Sequence, residues 1–374
     1  MKNAFRRFTL ILLMFGIYAS GQIKKPHLTG RIQYDIVASQ TDTSNIWQVA
    51  SGFRRVHLGL KGRLNNRVDY KAEINIAKGK TSFRDVFIRL RTGWGDFALG
   101  SMPEPTGLEM GTSSKFLTFN ERSFVSFLQN FRWGSGIHYF NNRLFHHFVY
   151  LQLALTGNGT ADKGFSDENL TKGLNFTARL SGKINMKQGY AHIGANMALR
   201  PYRDLSLKAG NYFGTKYRYL VPGARRNMEW GTEAALTVGP WHIECEYKQR
   251  NANRFAFQQP DFEAYYFSTG YFLTGEQRPY KNGVFRRLKP KFPCCLRKNG
   301  SGAWELAFRI NRFDVARRIR EANETLPDVL MNYALGVNWY MTAHLRMTAD
   351  FALSRSDQVP HWTRMVLWRM HIDF

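Results

Sequence analysis

The chain has 374 residues, 15% of them aromatic, and its 53 Lys and Arg outnumber its 28 Asp and Glu to give a formal charge of +25. Three cysteines, Cys245 and the adjacent Cys294 and Cys295, exclude a disulfide scaffold and offer no ligand spacing for a metal. So large a positive charge calls for an anionic partner, whether nucleic acid, an anionic lipid surface or small anions.

The first residues have the pattern of an export leader: basic Lys2, Arg6 and Arg7, an apolar run from Phe8 to Tyr18, then small Ala19, Ser20 and Gly21. That run is shorter than the ~20 residues a spanning helix needs. A signal peptide is therefore expected over 1–21, with residues 22–374 forming one domain. Export argues against nucleic acid as the partner. No later stretch holds ~20 near-continuous apolar residues, so the protein either is soluble outside the cytoplasm or crosses a membrane as strands. A mean hydropathy of −0.40 is compatible with strands, half of whose residues would face a wet lumen.

Alternation starts with Ile32, Tyr34 and Ile36 against Arg31, Gln33 and Asp35. A second run sets Val56, Leu58 and Leu60 against Arg55, His57 and Lys61, and a third sets Val68, Tyr70, Ala72, Ile74 and Ile76 against Asp69, Lys71, Glu73 and Asn75. The fourth opposes Val86, Ile88 and Leu90 to Asp85, Arg89 and Arg91, with Phe87 as an exception. Period two means strands with one oily and one wet face. A soluble sandwich would also alternate, but the connections differ in length. A polar stretch around Ser39 to Ser51 follows the first run and a long segment from Met102 to about Asn130 follows the fifth strand, whereas Asn65-Asn66-Arg67 and Thr92-Gly93 are tight. The third and fourth runs meet through a short link, Gly79 to Ser82, so long connections follow two of three odd strands and tight ones the even strands, which suits a barrel with short periplasmic turns and longer external loops.

Strand-like segments continue at Trp230 to Val238, Trp241 to Lys248, Tyr265 to Leu273 and Trp304 to Asn311, with Pro201, Pro222, Pro260, Pro290 and Pro327 expected between strands. Near the end, Tyr333 to Trp339 and Leu345 to Leu353 alternate about a tight link at Thr342-Ala343. The last run carries Trp362, Val366, Trp368, Met370, Ile372 and Phe374 on one face, with Met365 and Leu367 blurring the other. An aromatic strand ending in Phe resembles the assembly signal of outer-membrane barrels. At roughly 20 residues per strand and connection, the expected fold is an all-β transmembrane antiparallel barrel of about 16 strands.

Several segments, in order, resemble the phosphate- and polyphosphate-selective porin family of outer membranes. They are Gly30-Arg31-Ile32-Gln33; Phe53-Arg54-Arg55 with Leu58-Gly59; Gly107-Leu108-Glu109 with Thr112-Ser113-Ser114-Lys115 and Glu121-Arg122; Leu273-Thr274-Gly275-Glu276; Gly302-Ala303-Trp304-Glu305; and Gly336-Val337-Asn338-Trp339-Tyr340. The resemblance implies a homotrimer in the outer membrane of a Gram-negative bacterium, each barrel with its third loop folded into the lumen as a constriction lined by Arg and Lys. It implies that Arg31, Arg54 and Arg55 belong to the basic lining, and that Lys115 and Arg122 lie in the matching loop. Two positions depart from the pattern: Met110 stands where strongly phosphate-selective members have a lysine after Gly-Leu-Glu, and Ala98 stands for another lysine.

Arg54 and Arg55 are neighbours in a strand, so if Arg55 faces the lumen with His57 and Lys61, Arg54 must sit at the rim or at an irregularity. The competing reading has both binding lipopolysaccharide phosphates from the rim. Arg89 and Arg91, two residues apart, suit a ladder of cations that hands an anion from site to site. Equally, Asp69, Lys71, Glu73, Asp85 and Arg89 suit cross-strand ion pairs. Basic clusters at Arg225-Arg226, Arg286-Arg287, Lys289 and Lys291 would either steer anions to a pore mouth or simply be solvated. Catalysis has no support: the 10 histidines are scattered, no Gly-x-Ser-x-Gly elbow occurs, and Thr156-Gly157-Asn158-Gly159 lacks the lysine of a phosphate-binding loop. The expected function is an outer-membrane porin, not an enzyme, passing small anions, phosphate or polyphosphate among them, with no cofactor or metal. The anion-binding candidates are Arg31, Arg54, Arg55, Arg89, Lys115 and Arg122. The alternative is a structural or interaction barrel that binds lipopolysaccharide, polysaccharide or an envelope partner without an open channel.

Overall fold

The computed structural model describes residues 24–40, 46–79, 81–128, 133–157, 173–201, 205–210, 216–221, 226–252, 261–294, 300–316, 319, 329–358 and 361–374. The expected leader, Arg225, Pro222, Pro260 and Pro327 lie outside them. The strands are β1 (Lys24–Gln40), β2 (Trp47–Arg63), β3 (Val68–Asn75), β4 (Ser82–Thr92), β5 (Gly95–Pro103), β6 (Trp133–Leu144), β7 (Val149–Gly157), β8 (Asn175–Met186) and β9 (Gly189–Pro201). A hairpin of β10 (Leu205–Gly210) and β11 (Lys216–Val221) precedes β12 (Arg226–Val238), β13 (Trp241–Ala252) and β14 (Phe262–Phe272). A smaller hairpin, β15 (Tyr280–Lys281) and β16 (Val284–Phe285), leads to β17 (Ala303–Val315), β18 (Val329–Tyr340), β19 (Leu345–Ser356) and β20 (Thr363–Asp373). Two short helical turns, α1 (Leu108–Gly111) and α2 (Phe124–Leu128), lie between β5 and β6.

Apart from the two hairpins, these strands form one closed antiparallel barrel of 16 members, each paired with its neighbours in chain order. β1 closes the ring on β20, from Arg31 opposite Asp373 to Gln40 opposite Arg364. The last residue completes the seam, since Gly30 N donates to Phe374 O at 3.0 Å and Phe374 N to Gly30 O at 3.1 Å. Closure pairs the backbone groups that an open sheet edge would leave bare in hydrocarbon. A Cβ on Gly30 would run into the Phe374 ring, so glycine there leaves the terminal aromatic room to lie across the seam.

Side chains sort by parity. On β18, Asn332, Ala334 and Asn338 are buried while Leu335 is 56% exposed, and on β17 Glu305, Arg309 and Asn311 are buried while Leu306 is exposed. In a closed ring the exposed oily set is the outer surface, and the buried polar set faces inward. Met365 and Leu367 are at most 1% exposed because they turn inward, packing with Val37, Ala307, Ala334 and Ala352 around Phe119 of the segment between β5 and β6. Phe87 likewise turns inward, beneath the Arg89 guanidinium. The ladders run beyond the alternating cores: Ser39 pairs with Gln48 and Ile36 with Ser51, so most of the stretch read as a first loop is strand. Pro201 ends β9 opposite Arg226 rather than standing in a connection.

At one end of the barrel the connections are short, at 64–67, 93–94, 145–148, 187–188, 239–240 and 341–344. The exception is 273–302, between β14 and β17, which carries the β15–β16 hairpin. That hairpin turns on Asn282 (φ 53°) and Gly283 (φ 74°), an Asn-Gly pair with positive φ at both central positions.

Leu335, at mid-strand on the outer face, is a direct test of this orientation. Leu335→Arg is expected to cost about 2–4 kcal/mol in a denaturant titration of folding into lipid vesicles, as for a cation near the bilayer midplane. A change below about 0.5 kcal/mol, the scale of an ordinary solvated surface position, would take Leu335 off the lipid face.

Candidate functional site

Residues 104–128 are bound to inward side chains of strands far from β5. Glu246 on β13 accepts from Leu108 N at 3.1 Å and Glu109 N at 2.6 Å, placing a carboxylate at the start of α1 where unpaired N–H groups point. Arg346 on β19 donates to Leu117 O at 2.6 Å and Thr118 O at 2.8 Å. Asp350 accepts from Asn120 N at 2.8 Å, and Arg369 on β20 donates to Asn120 O at 2.7 Å. Lys248 bonds Thr106 O, and Arg250 donates to Leu128 O at 2.9 Å. The apolar half, Phe124, Val125 and Leu128, packs with Leu207 and Tyr219 of the β10–β11 hairpin and Phe262 and Phe313 of the wall.

The connection 273–302 reaches the same segment. Arg278 bonds the Thr118 hydroxyl, and Phe285 N donates to Thr112 Oγ1 at 3.3 Å. The wall holds the connection in turn: Arg179 donates to Gly283 O at 2.6 Å, Tyr190 to Arg278 O at 2.9 Å, and Arg287 to Asp373 at 2.9 Å.

Arg31, Arg54 and Arg55 come together on β1 and β2. Arg31 donates to Ser114 Oγ at 2.6 Å and pairs with Glu73 at 3.2 Å. Gln33 lies opposite Arg55 and Tyr34 opposite Phe53, so Arg54 is the extra residue of a β-bulge. The bulge answers the parity problem of two successive arginines. Arg54 bonds both oxygens of Glu121, Nε at 3.1 Å and Nη2 at 2.9 Å, while Arg55 donates to Gln33 Oε1 at 2.8 Å. Arg369, forked onto Asp35 at 2.6 and 2.7 Å, also reaches Glu121 at 3.2 Å. Burial works against the Glu121 charge, but Arg54 and Arg369 outweigh it and hold its pKa down to about 2. Its pairing therefore stabilises the fold fully above the ordinary carboxyl range near ~4.3 and is lost as pH falls toward 2.

The other three candidates are placed differently. Lys115 pairs with Asp373 at 3.1 Å, and burial lowers its pKa more than that carboxylate restores it. Arg122 donates to the carbonyls of Glu109 and of Thr112, the latter at 2.8 Å, bracing the segment to which it belongs. Arg89 stands apart between the rings of Phe87 and Phe140, 5.2 and 5.3 Å from their centroids. Of the cross-strand pairs read as the alternative, Lys71–Asp85 forms at 2.5 Å; Lys71 also meets Glu73 of its own strand at 3.0 Å, and Asp69 pairs with Arg63 at 3.1 Å rather than with Arg89. Among the described residues, neither Arg55 nor Arg89 has a carboxylate within ion-pair distance. Met110 and Ala98 are both buried.

Other inward arginines were not singled out from sequence. Arg179 pairs with Glu233 at 2.5 Å, Arg200 with Glu104 at 2.6 Å and Arg309 with Glu109 at 3.4 Å. Strand parity marks them as inward-facing, but their partners sit on other strands or on the segment after β5. The 273–302 connection had a sequence signal in Asn282-Gly283 between Tyr280-Lys281 and Val284-Phe285.

Residues 27–366 match the family described as phosphate-selective porin O and P. The chain belongs to that family. The porin is 25% identical to Porin O of Pseudomonas aeruginosa over 357 residues, 83% of this chain and 78% of that one. It is 28% identical over 316 residues to an uncharacterized protein of Caulobacter vibrioides, covering 77% of this chain but only 61% of that relative's length. Solved barrels share the fold at low identity. OprB of Pseudomonas putida matches with a TM-score of 0.62 at 9% identity over 93% of this chain and 94% of that one. An anion-selective porin from Comamonas acidovorans matches with 0.59 at 12% over 94% and 99%. A trimer form of OmpT from Vibrio cholerae matches with 0.55 at 11% over 94% and 99%. The porin is thus an outer-membrane channel protein of Gram-negative type rather than an enzyme.

Asp35 is buried against Arg369, so removing the arginine leaves an unpaired carboxylate on the inner wall. Arg369→Ala is expected to lose about 3–5 kcal/mol of stability, read as a lower denaturant midpoint. A loss below about 1 kcal/mol, the range of exposed pairs, would mean that water screens the pair.

Proposed function

We propose that this porin passes small anions, phosphate among them, by passive diffusion through a lumen narrowed by residues 104–128. The observation that carries the reading is Arg55: a guanidinium on the inner face of β2, flanked by Arg54 and within the field of Arg31, with no carboxylate partner among the described residues. A guanidinium presents five fixed donors suited to phosphate or carboxylate oxygens, so it can replace part of an anion's hydration shell. Arg89, also without a carboxylate within ion-pair distance among the described residues, gives a second stop further along the wall. The described carboxylates nearby are committed to Arg31, Lys71, Arg63 and Arg91, which leaves the local field positive.

Binding of residues 104–128 to the polar face of β13, β19 and β20 supports their place as the constriction. With Met110 and Ala98 in place of lysines, discrimination between phosphate and other small anions rests on the arginines alone. Assembly as a homotrimer, removal of residues 1–21 on export, and contact of rim cations with lipopolysaccharide belong to the same proposal. The family membership and the trimer form of OmpT support the first of these.

Reversal potentials in a planar bilayer under a KCl gradient test the reading. The wild-type channel is expected to prefer chloride, and Arg55→Glu to reduce that preference severalfold. Cation preference in the wild type would overturn the proposal, and absence of conductance would favour an interaction barrel. A wild-type preference that survives Arg55→Glu unchanged would take Arg55 out of the path.

A further inference from the structure

The bulge at Arg54 turns two consecutive guanidiniums toward the same side of the wall, an arrangement that a regular strand forbids. Two adjacent arginines make a natural clamp for a tetrahedral oxyanion, each able to offer two parallel donors. One half of this clamp is occupied. Glu121 presents both carboxylate oxygens to Arg54, in the geometry that a permeating oxyanion would use.

Glu121 cannot readily swing away. The residue before it is anchored by Asp350 and Arg369, and the residue after it by the carbonyls of Glu109 and Thr112. A second contact, from Arg369 at 3.2 Å, holds the carboxylate from the β20 side. The pair is nevertheless within reach of water, with the Arg54 side chain 30% exposed and that of Glu121 14%. In the cluster, Arg31 is engaged by Glu73, Arg369 by Asp35 and Arg54 by Glu121, so among the described residues Arg55 is the member with no carboxylate within ion-pair distance.

We infer that Glu121 is a built-in competitor for oxyanions: a tethered carboxylate that occupies the Arg54 half of a two-arginine site and repels an anion from the Arg55 half. The inference rests on the anion-porin reading above and adds the residue that sets how long an oxyanion stays. A fully open Arg54–Arg55 clamp would hold phosphate firmly and slow its passage, since conduction needs sites shallow enough to leave. Glu121 keeps the site shallow. Glu121→Gln preserves shape and one acceptor oxygen while removing the charge, and Arg369 keeps Asp35 as its partner.

The experiment is block of chloride current by inorganic phosphate in single channels of the full-length protein reconstituted in planar bilayers. Glu121→Gln is expected to lower the half-blocking phosphate concentration on the order of tenfold, as loss of one nearby negative charge implies. Glu121→Asp, which keeps the charge one methylene further back, is expected to stay within about twofold of wild type. Unchanged block in Glu121→Gln, or equal tightening in Glu121→Asp, overturns the inference while leaving the anion-porin reading intact. A wild-type channel that prefers cations or does not conduct removes both. If Glu121→Gln fails to fold, the Asp variant together with Arg54→Gln decides: without Arg54 the Glu121 charge, still held by Arg369, is no longer offset beside Arg55 and phosphate block should weaken, and stronger block would refute competition.

Discussion

In hydrocarbon, a backbone N–H or C=O without a partner costs several kcal/mol, so a sheet that spans a bilayer has to become a ring. The bonds between Gly30 and Phe374 and the ladder from Arg31 to Gln40 meet that demand at the only place where the first and last strands can meet. Once the ring is closed, every other feature follows from its having an inside. Sixteen strands enclose more space than wall side chains can fill. Residues 104–128 and the 273–302 connection are held against that inner face by hydrogen bonds from its arginines, lysines and carboxylates.

The charges on the wall divide into two populations. Arg179, Arg200, Arg309 and Arg369 are buried against carboxylates and act as braces, because an ion pair withdrawn from water is tolerable only with its partner in place. Among the described residues, Arg55 and Arg89 have no carboxylate within ion-pair distance, which is why the proposed anion path runs past them. A formal charge of +25 therefore says little about a passage until pairing is known. What matters is the small remainder that no carboxylate neutralises.

Much of the barrel was legible because a period of two is imposed by the backbone itself. The runs at Arg31 to Ile36, Val56 to Leu60 and Tyr333 to Trp339 all lie in strands with the expected faces. Even the conflict between Arg54 and Arg55 pointed to an irregularity, and a bulge is there. Parity could not tell a brace from a binding group, since it fixes which face a side chain takes and not which charge from another strand comes near it. Arg122 illustrates the gap: its loop was located, but its bonds to two carbonyls of that loop depend on a local turn that no periodicity encodes. Met365 and Leu367 blurred the pattern for a similar reason, because Phe119 supplies the inner wall with a patch of oil. The stretch around Pro290 was read as a connection, but its hairpin and its contact with residues 104–128 were not, because short links were expected along that rim, although Asn282-Gly283 marks a tight hairpin.

The bulge at Arg54 also acts as a punctuation mark in β2. Before it, Trp47, Val49 and Phe53 lie outward on odd positions; after it, Leu58 lies outward on an even one. The strand thus has two reading frames joined at one residue. Removing Arg54 alone would merge the two frames into one regular strand, with Phe53 and Leu58 still outward, whereas removing a residue elsewhere in β2 would turn part of the strand's cations toward the lipid and its oil toward water. Away from such a bulge, insertions and deletions in this wall should be tolerated in steps of two and resisted in steps of one.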